Sequence, residues 1–199
     1  MGHSVHLIVG RGEAVAAFLR QWPVARAVHL RGGWQAIPVD DALHAAIEAA
    51  HPGAKRPPEL DVSPLGLDRA LAAATEGGGG LAYVETDYFG GSGGQSATAW
   101  VDGREAMAPQ RSRGGGGPIN QSLRAIGVAR SEADDEFDAI GLGERRSMSD
   151  YEPEGPVRLR PSSPPAPPPE PEKAYVPLWK VLLAIAAFIA VGVFLSVAL

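Results

Sequence analysis

The residues of this chain best suited to do chemistry or recognition lie between Glu85 and Gln95. Here Glu85-Thr86-Asp87-Tyr88-Phe89 leads into the glycine-rich Gly90-Gly91-Ser92-Gly93-Gly94, and Gln95 opens the return. On a strand, Glu85 and Asp87 stand two apart and share a face, the placement of an acid/base carboxylate pair and equally of any strand with alternating polarity. Tyr88 and Phe89 at the rim of a sheet are suitable interface anchors, and glycines beside them permit close backbone approach. Glu85, Asp87, Tyr88, Phe89 and Gln95 are therefore the expected partner-binding residues; a plain hairpin with a flexible glycine tip satisfies the same pattern. No catalytic residue is assigned.

Other constellations are weaker. His44, Glu48 and His51 fall at i, i+4 and i+7 on one helical face, a spacing at which imidazole and carboxylate can share a metal. No fourth ligand accompanies them, and His51 precedes Pro52-Gly53, where the carbonyl end of a helix favours histidine anyway, so a solvated helix face is expected and no metal. Gly10-Arg11-Gly12 sits where a dinucleotide fold places its glycine motif, but Val15 fills the third glycine position and Glu13 puts a carboxylate where a pyrophosphate would lie. Lys55, Lys173 and Lys180 are the only lysines and none follows a glycine-rich loop, so a phosphate-cradling Walker loop is excluded and no cofactor is expected. The single Arg111-Ser112-Arg113 stretch before Gly114 to Gly117 reads as a loop rather than as an RNA-binding box.

These residues must be positioned by alternating element types. Val5 to Val9 reads as a buried strand, and Val15, Phe18, Leu19 and Trp22 recur at helical spacing until Pro23. Ala27 to Leu30 and Trp34 to Val39 are expected to be extended, on either side of a Gly32-Gly33 turn. Leu43, Ala46, Ile47 and Ala50 follow Asp40, a helix N-cap, and Leu67, Ala70, Leu71 and Ala74 form a third helix that stops at Gly77. Three strands follow, Leu81 to Thr86, Gln95 to Val101 and Arg104 to Ala108, the last two joined across Asp102-Gly103, a strong hairpin signal. Helices over Pro118 to Ile126 and Glu132 to Ile140 close the domain, the second expected to be capped by Ser131 with Asp134. The order predicts an α/β or α+β domain over residues 1–150, a mixed sheet combining a crossover unit with an antiparallel meander and packed by helices.

Beyond this domain the composition changes. Residues 151–177 are proline-rich, with almost nothing to build a core, and form a tether; in polyproline II some 25 residues would span up to roughly 80 Å. Pro161 and Pro164 satisfy P-x-x-P, as a proline tract does by necessity. Residues 178–199 predict a transmembrane helix: Val181 to Leu199 has no charged side chain, and nineteen residues at about 1.5 Å each nearly cross a bilayer core of ~30 Å. Trp179 suits the headgroup level and Lys180 can snorkel, so both belong to the anchor.

Bulk charge bounds the partners. Up to residue 150 there are fourteen Lys/Arg against nineteen Asp/Glu, which accounts for the net charge of −5, and no nucleic acid is expected as a partner. With no cysteine, disulfides, zinc-thiolate sites and thiol catalysis are all absent. The N-terminus lacks the basic leader of a signal peptide, and Lys173 and Lys180 lie on the N-terminal side of the anchor. The expected location is the inner membrane, single-pass, with the domain in the cytoplasm, contacting the lipid bilayer through its last helix and a protein partner through the domain.

The segment Glu85 to Gly91 with Gln95-Ser96-Ala97, Ile119-Asn120, Ile126-Gly127-Val128 and Asp135 to Leu142 resembles a family of small, functionally uncharacterised bacterial proteins of the immunity or accessory kind. The resemblance covers about residues 80–150, implies a binding or inhibitory module rather than an enzyme, and brings no catalytic residues with it. The rival reading is a membrane-tethered hydrolase using Glu85 or Asp87 with a histidine such as His44; a scaffold held near the membrane is a third.

Overall fold

A computed structural model describes residues 2–89, 92–113, 117–130 and 132–151. Strand β1 (His3–Gly10) carries a nearly unbroken apolar run because it lies in the middle of a six-stranded sheet with both faces covered. The remaining strands are β2 (Val28–His29), β3 (Gln35–Pro38), β4 (Gly80–Phe89), β5 (Ser92–Val101) and β6 (Arg104–Ser112), in the spatial order β2-β3-β1-β4-β5-β6.

Every pairing between these strands is antiparallel, so the sheet is not mixed as the element order suggests; among the described residues only an isolated bridge, Ser4 with Ser147, is parallel. The chain leaves β1 through helix α1 (Gly12–Gln21) but does not return parallel to it. The short β2 and a 3₁₀ turn over Arg31–Gly33 reverse its direction first, and β3 comes back antiparallel on β1. The domain is α+β.

One face of the sheet is packed by α1, α2 (Asp41–Ala50) and α3 (Leu67–Thr75), with Phe18, Ile47, Leu71, Ile8 and Tyr83 at its centre. On the other face lie α4 (Pro118–Ala125), α5 (Glu136–Ala139) and two 3₁₀ turns; Leu123, Ile140, Leu142 and Tyr151 pack there on Val5, Leu7 and Val84. Burying each of these side chains contributes about 1.5–3 kcal/mol, so the two layers hold the strands from both sides.

Local signals explain most element ends. The Asp40 carboxylate accepts from the Leu43 amide at 2.9 Å and starts α2. At the β5–β6 turn Asp102 and Gly103 both take positive φ, 51° and 75°, as a primed two-residue hairpin requires. The final helix differs from expectation. It has four residues rather than nine, and its cap is Asp135, which accepts from the Asp138 amide; the expected cap, Ser131, lies outside the described residues. Asn120 sets this later start by donating to Asp135 Oδ2 and accepting from the Phe137 amide, both at 2.9 Å.

The described residues all lie within one compact unit, Met1–Gly155. The expected proline tether (151–177), apart from Tyr151, and the expected membrane anchor with Trp179 and Lys180 lie outside the described residues. Among the described residues no helix is long and apolar enough to cross a membrane.

Candidate functional site

Pairing of β1, β4, β5 and β6 brings the expected site residues to one end of the sheet in cross-strand rows. On the α1–α3 face His6, Glu85, Ser96 and Arg111 form one row, and Ser4, Asp87 and Gly94 form the next toward the rim. Val5, Thr86, Gln95 and Ser112 make a row on the opposite face, followed by His3, Tyr88 and Gly93. The five expected residues are thus divided between the two faces, and a cleft lies on each.

The cleft on the α1–α3 face has a volume of about 420 Å³ and is lined by Ser4, His6, Asp61, Asp87, Gly94 and Arg111, with Glu85 at its inner end. Glu85 is only 5% exposed, and its carboxylate is occupied: Oε2 accepts from the Asp61 amide at 2.9 Å, while Oε1 accepts from the Val62 amide at 3.1 Å and the Tyr83 hydroxyl at 2.9 Å. This residue ties the 51–66 loop to the sheet and offers little to a partner. Burial and the adjacent Glu85 charge raise the Tyr83 phenol well above its ordinary value, which keeps it a neutral donor.

Asp87 is exposed, and Phe89, two residues further on the same face, is 82% exposed. Opposite Asp87 stands Gly94 and opposite Phe89 stands Ser92, with Gly93 between them. Gly93 cannot be replaced freely, because a Cβ there would stand 2.1 Å from the Asp87 carbonyl oxygen. His6 faces Glu85, Asp87 and, from α2, His44; burial dominates these influences and lowers its pKa, so the imidazole is neutral at neutral pH.

The second cleft, of about 390 Å³, lies between the sheet and the α4–α5 layer and is lined by His3, Thr86, Tyr88, Gln95, Asn120 and Phe137 among others. Gln95, 8% exposed, donates from Nε2 to the Tyr88 hydroxyl and accepts at Oε1 from the Ile119 amide, both at 3.2 Å. It thereby satisfies an amide in the first turn of α4 and holds the half-buried Tyr88 against the sheet. Thr86 Oγ1 accepts from the Val5 amide at 3.2 Å and lies 2.6 Å from His3 Nδ1, consistent with the hydroxyl donating to an unprotonated Nδ1. The His3 pKa is lowered, first by burial, which agrees with that neutral ring.

The helical trio does not converge on a ligand position. Glu48 accepts from the Leu65 amide at 3.1 Å, with His44 Nδ1 at 3.8 Å and an Arg56 guanidinium nitrogen at 3.9 Å, whereas His51 packs edge-on against Trp22. Among the described residues no group of three His, Cys, Asp or Glu side chains is placed to hold a metal ion. Of the five expected residues, then, Glu85 and Gln95 hold structure, Tyr88 joins the second cleft, and Asp87 and Phe89 face outward. Sequence reasoning missed His6, Asp61 and Arg111 at the first cleft; the two-residue alternation of β1 could have placed His6, but the loop residue Asp61 has no such signal.

Comparison of the chain with protein-family models, with curated proteins and with solved structures finds no match.

Proposed function

We propose that the chain is a C-terminally anchored, single-pass membrane protein whose α+β domain faces the cytoplasm as a binding or inhibitory module, with Asp87 and Phe89 at the centre of its contact surface. The observation that supports this reading is Phe89. An aromatic ring 82% exposed at the end of a strand, in a domain whose described large apolar side chains are otherwise exposed only at Val24 and Val62, is a poor solution for folding and a good one for recognition. The acidic balance of the domain favours a protein partner over nucleic acid.

The hydrolase reading has less support, because the Glu85 carboxylate is occupied by the Asp61 and Val62 amides and the Tyr83 hydroxyl, which leaves Asp87 without a second free carboxylate beside His6.

The test is crosslinking capture from native membranes with the full chain and with its Phe89→Ala variant. Phe89 has so little burial that the variant should keep its unfolding temperature within about 2 °C while losing tenfold or more of its captured partner. Equal capture by a folded Phe89→Ala chain would remove this surface from the proposal.

A further inference from the structure

The first cleft specifies the kind of partner, an inference that rests on the binding-module reading. Its charge balance is uneven. Asp61, Glu85 and Asp87 face Arg111 as the one guanidinium among the lining residues, and Arg111 is already paired with Asp61. Arg56 approaches the same region from behind, but its Nε donates to the Ser63 carbonyl and its Nη1 to the Asp61 carbonyl. His6, neutral for the reason given above, does not offset the carboxylates.

Asp87 is exposed, and among the described residues nothing donates to its carboxylate. Its neighbours are two kinds of surface. Across the strand pair from Asp87 stands Gly94, whose missing side chain leaves the backbone open to approach. Along β4 stands the open ring of Phe89, two residues away on the same face and so about 7 Å distant. Val62, 38% exposed, supplies a further apolar wall on the loop side.

We propose that this rim receives an arginine side chain from a basic protein partner, its guanidinium on the Asp87 carboxylate and its stem and planar face against Phe89. Arginine fits both surfaces at once. It offers a fork of donors to a carboxylate, its weakly hydrated plane stacks on an aromatic ring, and its aliphatic stem covers apolar surface. A lysine would satisfy the charge but would lose the fork and the stacking, and a compact metal ion would leave Phe89 unused. The net charge of −5 steers a basic partner toward the domain and disfavours an acidic one.

The experiment is a titration of the isotope-labelled full chain, in zwitterionic detergent micelles, with a blocked Gly-Arg-Gly peptide, followed by amide chemical shifts. Its citrulline counterpart, a Lys peptide and calcium serve as comparisons. The expected result is a saturable shift of Asp87, Phe89, Gly93 and Gly94 with the Arg peptide, weakened about threefold to fivefold by Asp87→Asn and by Phe89→Ala, and absent with citrulline. Shifts that survive Asp87→Asn unchanged, or that calcium or the Lys peptide reproduces in full, would overturn the arginine assignment. So would the absence of any shift at the rim. Membrane capture lost in Phe89→Ala but unaltered in Asp87→Lys would sink the arginine proposal and leave the binding module standing, whereas capture unaltered in both would sink the module itself.

Discussion

Glu85 shows how a residue type that suits catalysis can instead be structural. Its carboxylate accepts three hydrogen bonds, two of them from loop amides that precede it by more than twenty residues. Glu85→Ala should therefore leave buried donors unpaired and cost about 2–4 kcal/mol, while Glu85→Gln, which keeps the shape and one acceptor oxygen, should cost less. Chemical denaturation gives the totals, and hydrogen exchange at the Asp61 and Val62 amides should report the loop opening before the sheet. Equal stability of the wild type and the alanine variant would show that the loop is not held this way.

Histidine sets a second expectation at the same scale. His3 and His6 are both held below the ordinary 6.5, chiefly by burial. The unfolded chain therefore takes up protons at a higher pH than the folded one, so stability is complete above about pH 6.5 and falls as the pH drops toward the folded-state values. Glu136, lowered first by its hydrogen bond from Arg124, and Asp150, lowered by the Arg146 and Ser147 amides, act in a separate window. Each contributes stability above its unfolded value that is lost as the pH falls through the depressed one, below about pH 4.5. Urea midpoints between pH 7.5 and 5.5 should thus decline in the wild type and decline less in a His3→Asn, His6→Asn double variant. An identical slope in the two proteins would assign the acid sensitivity elsewhere.

At the scale of elements, the loop between α2 and α3 is where sequence reading ran out. Helices α1 and α2, the Asp40 cap and the Asp102-Gly103 hairpin are written in local patterns of apolar spacing, capping side chains and turn residues. The antiparallel return of β3 is not, because no local feature of a strand records which neighbour it will pair with or in which direction. Likewise nothing near Glu85 or Gln95 announces that their partners are the amides of Asp61, Val62 and Ile119. These are long-range contacts, and an exposed acid and a satisfied one look alike in sequence.

The same loop carries a testable constraint at its end. Gly66 caps α3 with φ 85°, and a Cβ there would stand 2.4 Å from the Cβ of His51. Gly66→Ala should cost about 1–2 kcal/mol for the left-handed backbone and a further 1–3 kcal/mol for the crowding against His51. Asp40→Ala, which removes an ordinary cap, should cost about 1 kcal/mol. Gly66→Ala should thus unfold at a clearly lower denaturant concentration than Asp40→Ala; the reverse order would mean that the loop relaxes around an added methyl group.

For the whole molecule the question is where folding ends and tethering begins. The proline composition rises after Tyr151, yet Tyr151 itself is 1% exposed in the core beneath the sheet, with the Arg145 guanidinium 5.3 Å from its ring. Burial pushes its phenol up to about 12, as expected of a ring held inside the domain. A chain ending at Tyr151 should therefore keep the stability of the domain, whereas one ending at Asp150 should lose about 2–3 kcal/mol and melt some 5–10 °C lower. On the proposed anchoring the full chain should resist alkaline extraction from membranes and both truncations should be released, because the apolar Val181 to Leu199 stretch is gone from each. The two truncations separate the contributions: a melting difference between them measures the packing of one aromatic ring, and their shared release from membranes would support the proposed anchor. Retention of the Tyr151-terminated chain on membranes would place the attachment in the domain and make its exposed rim, rather than the proposed C-terminal anchor, the first surface to examine for lipid contact.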